Sequence, residues 1–291
     1  MAKPPSKSTP YVLSLVRFLL GCLFVQHGLE KLWGFAGSRM DRDFSHLHGL
    51  AGPIEFAGGV FLILGLFIRP TAFILCGEMA VAYFVSWAPH GFWPISNGVG
   101  GELAVIDCFA FLWLVTAGAG PWSIDAFIKS RKVPGASDTG LAAILASWEG
   151  YARSILRMIL AFLISLHGYR MMFGMFPLPP IRFKRAPMAL DALPGMLGLV
   201  CIVGGLLLFL GLWTRITALV LWLQVAAAYL VSAAPRGLVP MRTGGEEVAL
   251  YFILFAYFIV AGAGLWSLDY LLQKRQQSVT RLSATGSAAR A

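Results

Sequence analysis

Apolar residues fall into eight long blocks with short polar interruptions: Tyr11–Gln26, Gly52–Ile68, Thr71–Ala88, Leu103–Ala119, Ala152–Leu166, Pro194–Trp213, Ile216–Ala233 and Val248–Gly262. None alternates polar and apolar residues as a membrane β-strand does. Backbone groups in lipid must be paired within the segment, so each block is predicted to be a helix. Several blocks fall a little short of the ~20 residues a spanning helix needs, but weakly polar or aromatic flanks extend them. The pattern predicts an all-α membrane protein with eight transmembrane helices.

The blocks repeat. Arg17, nine residues and His27-Gly28 return as Arg157, nine residues and His167-Gly168. Gly58-Gly59…Gly65-Leu66…Arg69 returns as Gly204-Gly205…Gly211-Leu212…Arg215. Tyr83…Ser86…Pro89…Gly91 returns as Tyr229…Ser232…Pro235…Gly237. Gly118-Ala-Gly-Pro-Trp-Ser-Ile-Asp125 returns as Gly262-Ala-Gly-Leu-Trp-Ser-Leu-Asp269. The offset drifts from 140 to 146 and back to 144, as a tandem duplication with small loop indels requires. Four spans per copy bring both copies in and out on the same side. Two parallel-repeat four-helix bundles are therefore expected, related by an axis along the membrane normal. The modules are placed at 1–135 and 136–291, the second with a polar C-terminal tail. Ser130–Ser147 reads as the linker between them, and the tail from Gln273 as unstructured.

Composition fixes the solvent. The chain is 58% hydrophobic and 13% charged, against roughly 25% charged in ordinary soluble domains. Its net charge of +9 is scattered over loops and tails, which fits anchoring on anionic lipid and argues against nucleic acid as a partner. Lys3 and Lys7 precede an apolar stretch as in a signal peptide, but Arg17 interrupts it. That stretch is also the first repeat element, so it reads as a retained span. Twelve Lys and Arg against nine favour N- and C-termini inside. The connections on that side are tight, whereas the opposite ones are long and rich in Gly, Pro, His and Trp. Ser123 and Ser267 follow helix-ending glycines and could cap interfacial helices, with Trp122 and Trp266 at headgroup depth.

Charges inside spans are costly and mark structure or function. Arg17 lies six residues into span one and Glu78 seven residues into span three, each about 10 Å from the inner face. Their depths match for an ion pair, with Arg157 and Gln224 as the second copy's version. A clamp between helices and a role in substrate or proton handling are both open readings. At the outer ends His27, Lys31, Glu55 and Glu102 gather, with Glu30 and Asp107 nearby. An imidazole beside carboxylates at a membrane boundary can exchange protons near neutral pH; helix capping and contact with interfacial water is the alternative. The second copy keeps His167 and Glu246 but has Met171 for Lys31 and Cys201 for Glu55, which makes the first copy the better candidate site.

Cys22, Cys76, Cys108 and Cys201 sit in apolar spans with no C-x-x-C pair, which argues against thiol exchange. Asp41, Asp43, His46 and His48 match no metal-site spacing and read as a solvated loop, so no metal is expected. Phosphate-loop, haem-attachment and HExxH motifs are missing.

Arg17-Phe-Leu-Leu-Gly-Cys-Leu-Phe-Val-Gln-His-Gly-Leu-Glu-Lys-Leu-Trp-Gly34 resembles the opening motif of the DoxX family. Glu55-Phe-Ala-Gly-Gly59…Gly65-Leu-Phe-Ile-Arg69 is similar to its second span, and Asn97-Gly98…Glu102 with Gly118–Asp125 to its fourth. The second copy resembles the family through Arg157, His167-Gly168, Gly204–Arg215 and Gly262–Asp269, without the Lys and the second-span Glu. The resemblance implies four-span membrane modules, usually single, placed in a bacterial inner (cytoplasmic) membrane. It also implies membrane redox complexes, since the related DoxD is a subunit of thiosulfate:quinone oxidoreductase. Two functions stay open on that basis. One is a quinone-linked redox component with partner subunits, in which His27 and Glu102 move protons. The other is a non-catalytic scaffold or small-solute carrier, which the distant similarity to cargo receptors of the eukaryotic endoplasmic reticulum suggests.

Overall fold

Each copy is built from helices that run alternately between two ends of the molecule, one marked by the buried arginines and one by the histidines. The computed structural model describes residues 6–35, 47–91, 101–131, 140–175, 193–237 and 239–288. The module boundary at 135/136, Asp41, Asp43, His46 and Asn97-Gly98 lie outside those residues.

In the first copy α1 (Thr9–Trp33) leads to α2 (Leu47–Leu64), α3 (Ile68–Ala82) and α4 (Gly101–Ala117), then a short α5 (Ile124–Ser130). After α6 (Leu141–Ser147), the second copy repeats the order with α7 (Glu149–Phe173), α8 (Leu193–Leu210), α9 (Thr214–Ser232), α10 (Pro240–Thr243), α11 (Glu246–Ala261) and α12 (Leu268–Ala288). All the described secondary structure is helical. Four stretches are long and apolar enough to cross a membrane: Thr9–Trp33, Ile68–His90, Glu149–Phe173 and Thr214–Arg236. Gly49–Leu64 and Gly195–Leu210 are shorter apolar helices. Phe73, Ile74, Phe84, Ile216, Leu223 and Val231 project from α3, the turns that extend it, and α9 with more than half their surface exposed, as lipid-facing side chains do.

Two expectations change here. The linker contains α6, which packs on α4 and α7. The tail from Gln273 continues α12 as a helix to Ala288, since Gln, Lys, Arg and Leu all favour helix.

Within each copy the main packing pairs are α1 with α2 and α3 with α4, repeated as α7 with α8 and α9 with α11. The copies meet through α4 against α7 and α1 against α11. At the seam the twin residues Trp113 and Tyr257 pack against each other with ring centroids 4.4 Å apart and ring planes tilted by 53°. Gly28 lets α1 and α2 close. A Cβ there would stand 2.6 Å from the Phe56 Cα, so no side chain fits.

The repeated Arg and the Gly-Ala-Gly-x-Trp-Ser-x-Asp segment form one device. Helix C-termini leave carbonyls without partners, and a guanidinium offers five donors. Arg17, 1% exposed, donates Nε to Ala119 O at 2.9 Å and Nη2 to Trp122 O at 2.5 Å. Its Nη1 serves Leu62 O and, at 3.0 Å, Ile63 O at the end of α2. Arg157 repeats this on Ala263 O, Trp266 O, Leu208 O and Phe209 O. Asp125 then accepts from the Phe67 and Ile68 N–H groups at 2.9 and 3.0 Å, capping α3. Asp269 does the same for Trp213 and Thr214 at 2.8 and 2.9 Å. Phe67 and Trp213 hold left-handed φ values of 49° and 48°, a cost for a side-chain-bearing residue that the Asp bonds sustain. Ser123 and Ser267 accept from the Ala126 and Tyr270 N–H groups at 3.1 Å, the caps expected from the sequence.

Candidate functional site at the histidine end

Arg17 and Glu78 do not pair. Depth along the axis was matched, but α1 lies against α2, and Arg17 extends back toward the start of its helix, where four carbonyls take its donors. Glu78 lies instead against the carboxyl group of Glu55, in the field of Lys31 and His27. Gln224 likewise misses Arg157. Its Nε2 donates to Leu197 O at 3.1 Å and to Cys201 Sγ at 3.0 Å. Cys201 and Gln224 are the twins of Glu55 and Glu78, so the same two positions meet in both copies.

His27 and Glu102 belong to different sites. His27 Nε2 on α1 is 2.9 Å from Glu246 Oε1 on α11 of the second copy. His167 Nε2 on α7 is 2.9 Å from both oxygens of Glu102 on α4 of the first. Each copy supplies the imidazole of one site and the carboxylate of the other. Reciprocal contacts of this kind are what a two-fold relation between the copies produces.

The two sites have diverged. Around His27 stand Glu246, Asp107, Glu55 and Lys31, with Lys31 Nζ donating to Glu55 Oε1. Glu55, Asp107 and Glu246 are all buried, and Glu55 Oε2 has no partner. Around His167 the twin of Asp107 is Tyr251, whose hydroxyl donates to Glu102 Oε1 at 2.6 Å. Glu247, the twin of Leu103, lies close enough that Glu102, His167 and Glu247 bring three donor atoms within 4.8 Å of one another. One nitrogen and two carboxylate oxygens suit a divalent cation, but Tyr251 and the field of Arg170 already engage this trio.

The thiols are nearer than their sequence positions imply. Cys76 Sγ on α3 and Cys108 Sγ on α4 are 3.7 Å apart and half-buried. Cys108 follows Asp107, and Cys76 precedes Glu78 by two residues. The second copy places Trp222 and Phe252 at these positions, stacked with centroids 4.8 Å apart. The separation of 32 residues hid the pair from a search for C-x-x-C, although the packing of α3 on α4 could have suggested it.

Comparison with known proteins follows the same duplication. The DoxX family model matches residues 12–87 and again 152–233. An uncharacterized protein of Haemophilus influenzae is 41% identical over 127 residues, which are 41% of this chain and 92% of the relative. Inner membrane protein YqjF of Escherichia coli is 25% identical over 124 residues, 40% of this chain and 92% of the relative. Each relative is thus nearly covered by about two-fifths of this chain and has the size of a single module. No solved structure matches. With both halves matched by one family model, in the same order as the Arg–His and Gly–Arg repeats, the chain belongs to the DoxX family.

Proposed function

We propose that the protein is an eight-span component of a quinone-linked redox system in a bacterial inner membrane, working with partner redox subunits. Its first copy would hold the reacting groups. The observation that carries this reading is the Cys76–Cys108 pair, with thiols 3.7 Å apart and Cys108 in the field of the buried Asp107. A redox component needs a two-electron carrier, and a dithiol is one. Oxidation by a quinone breaks both S–H bonds and forms one S–S bond. Two electrons and two protons leave the thiols, and quinone becomes quinol. Asp107, whose field reaches Cys108, would take up a proton there, and it also lies in the field of His27, whose cluster includes Glu246 and the Lys31-held Glu55.

A solute carrier would need a polar path from this cluster to Arg17. Glu78 joins the cluster, but the donors of Arg17 are committed to carbonyls at the opposite end, which weighs against that reading. The test is quinol formation by the protein reconstituted in liposomes with a short-chain quinone and dithiothreitol. Cys76→Ser and Cys108→Ser should each abolish turnover, and His27→Ala and Glu246→Gln should slow it. Absence of quinol formation by the wild type with its co-purifying subunits present would favour a scaffold instead.

A further inference from the structure

At the arginine end the two copies differ in a way that neither the clamp nor the redox reading uses. In the first copy Arg69 closes the end of α4, donating Nη1 to Val115 O at 2.5 Å and Thr116 O at 3.0 Å. In the second copy that work passes to Arg153, which stands where the first copy has Leu13. Its Nη1 donates to Ala261 O at 3.1 Å, and its Nη2 lies 3.4 Å from Glu149. Arg215, the twin of Arg69, is thereby released. It is exposed and makes no hydrogen bond or ion pair with the described residues.

Arg215 lines a cavity of about 360 Å³ together with Arg153, Thr214, Gly262, Asp269 and Gln273. Thr214 stands where the first copy has Ile68. Its Oγ1 and the Arg153 Nε are both buried without a partner. So two apolar positions of one copy have become polar in the other, and both changes converge on the same cavity wall. The Asp269 carboxylate competes little for a ligand, because its oxygens are taken by the Trp213 and Thr214 N–H groups at the start of α9. Two guanidiniums at a helix N-terminus with spare donors select an anion, and the fork of Arg suits phosphate oxygens. Trp213 and Trp266, 64% and 55% exposed, mark this end as the level of lipid headgroups.

We propose that this cavity binds the phosphate of an anionic phospholipid, held by Arg215 with Arg153 and Thr214 behind it. The lipid is favoured over a soluble phosphate because the flanking Trp213 and Ile216 side chains are exposed and apolar, ready to meet acyl chains.

The experiment measures thermal stabilisation of the purified full chain in neutral detergent, titrated separately with phosphatidylglycerol, phosphatidylcholine and inorganic phosphate. Phosphatidylglycerol should stabilise the wild type at lower concentration than phosphatidylcholine, and inorganic phosphate should do little. Arg215→Ala should weaken the phosphatidylglycerol midpoint by about fivefold, the scale of one lost exposed charged contact. Thr214→Ile restores the first copy's residue, so it should fold and also weaken the midpoint. Lys274→Ala removes one charge from the same end outside the cavity and should leave the midpoint unchanged. Equal weakening by Lys274→Ala and Arg215→Ala would reduce the effect to general surface charge and overturn the site. A response to inorganic phosphate as strong as that to phosphatidylglycerol would overturn the lipid assignment.

Discussion

Arg17→Met tests what holds each module together. Methionine keeps the length of the aliphatic stem and removes every donor, leaving four carbonyls without their guanidinium: Ala119, Trp122, Leu62 and Ile63. Leu62 O keeps the Gly65 N–H, so three acceptors are left unpaired, and at the low end of about 1 kcal/mol each the loss is about 3 kcal/mol. With about 2 °C per kcal/mol for a chain of this size, the apparent melting temperature should fall by about 6 °C. Arg17→Lys should recover only part of this, because an ammonium is a compact point donor and cannot span acceptors on two different elements. Arg157→Met provides the internal repeat of the experiment, since its four acceptors are the twins of these. The assay is tryptophan fluorescence of protein in lipid nanodiscs, heated at one fixed scan rate. A melting temperature for Arg17→Met within about 2 °C of the wild type would refute the clamp. So would full rescue by lysine, which would mean that charge alone matters.

Glu78 lies against the carboxyl group of Glu55, a contact that a glutamine amide can keep, so Glu78→Gln should leave the melting temperature unchanged or raise it, whereas a drop of about 4 °C or more would reveal a hidden cation at that carboxylate. With Cys22 and Cys201 replaced by alanine, a mild oxidant should close a Cys76–Cys108 disulfide, seen by mass spectrometry as the loss of two hydrogens and of two alkylation sites; persistent free thiols would contradict the contact between α3 and α4. His27→Ala and Glu246→Gln should be strongly non-additive in stability, while His27→Ala and Glu102→Gln should add within about 0.5 kcal/mol. The opposite pattern would place both partners of a site in one copy.

The legible part of the fold was its periodicity. Eight apolar blocks and a repeat with an offset of 140 to 146 residues give the helix order and the equivalence of the copies. The Ser123 and Ser267 caps could also be read, because an N-cap needs only local sequence. The failures share a cause: periodicity gives depth along a helix but not which helices are neighbours. Arg17 and Glu78 were matched in depth, yet the nearest acceptors for a long side chain leaning toward its helix start were the carbonyls of α2 and the Gly118–Asp125 turn. His27 and Glu102 were assigned to one cluster because they share a copy, whereas the α1–α11 and α4–α7 contacts exchange their partners. The Cys76–Cys108 contact was missed on the same ground. The duplication did hold a clue, since Glu246 was recognised as the twin of Glu102 and any two-fold arrangement has to decide which of the two meets His27.

The exchange of partners bears on family members that have only one module. If each site takes its imidazole from one copy and its carboxylate from the other, a single module has both halves but cannot bring them together. His27 sits on α1 and the glutamate that meets it sits on α11 of the other copy. On this argument a lone module would need a second copy about a two-fold axis to complete the arrangement, with two identical sites as the result. Fusion of the modules frees the sites to differ, and here they have done so: Asp107 opposes Tyr251, Lys31 and Glu55 oppose Met171 and Cys201, and the thiol pair opposes Trp222 and Phe252. The Haemophilus influenzae relative, matched over 92% of its length by 127 residues of this chain, has the size of one module. Purified in a mild detergent, it should therefore run as a dimer by native mass spectrometry. A stable monomer that keeps its fold would show that the reciprocal pairing arose with the fusion rather than before it.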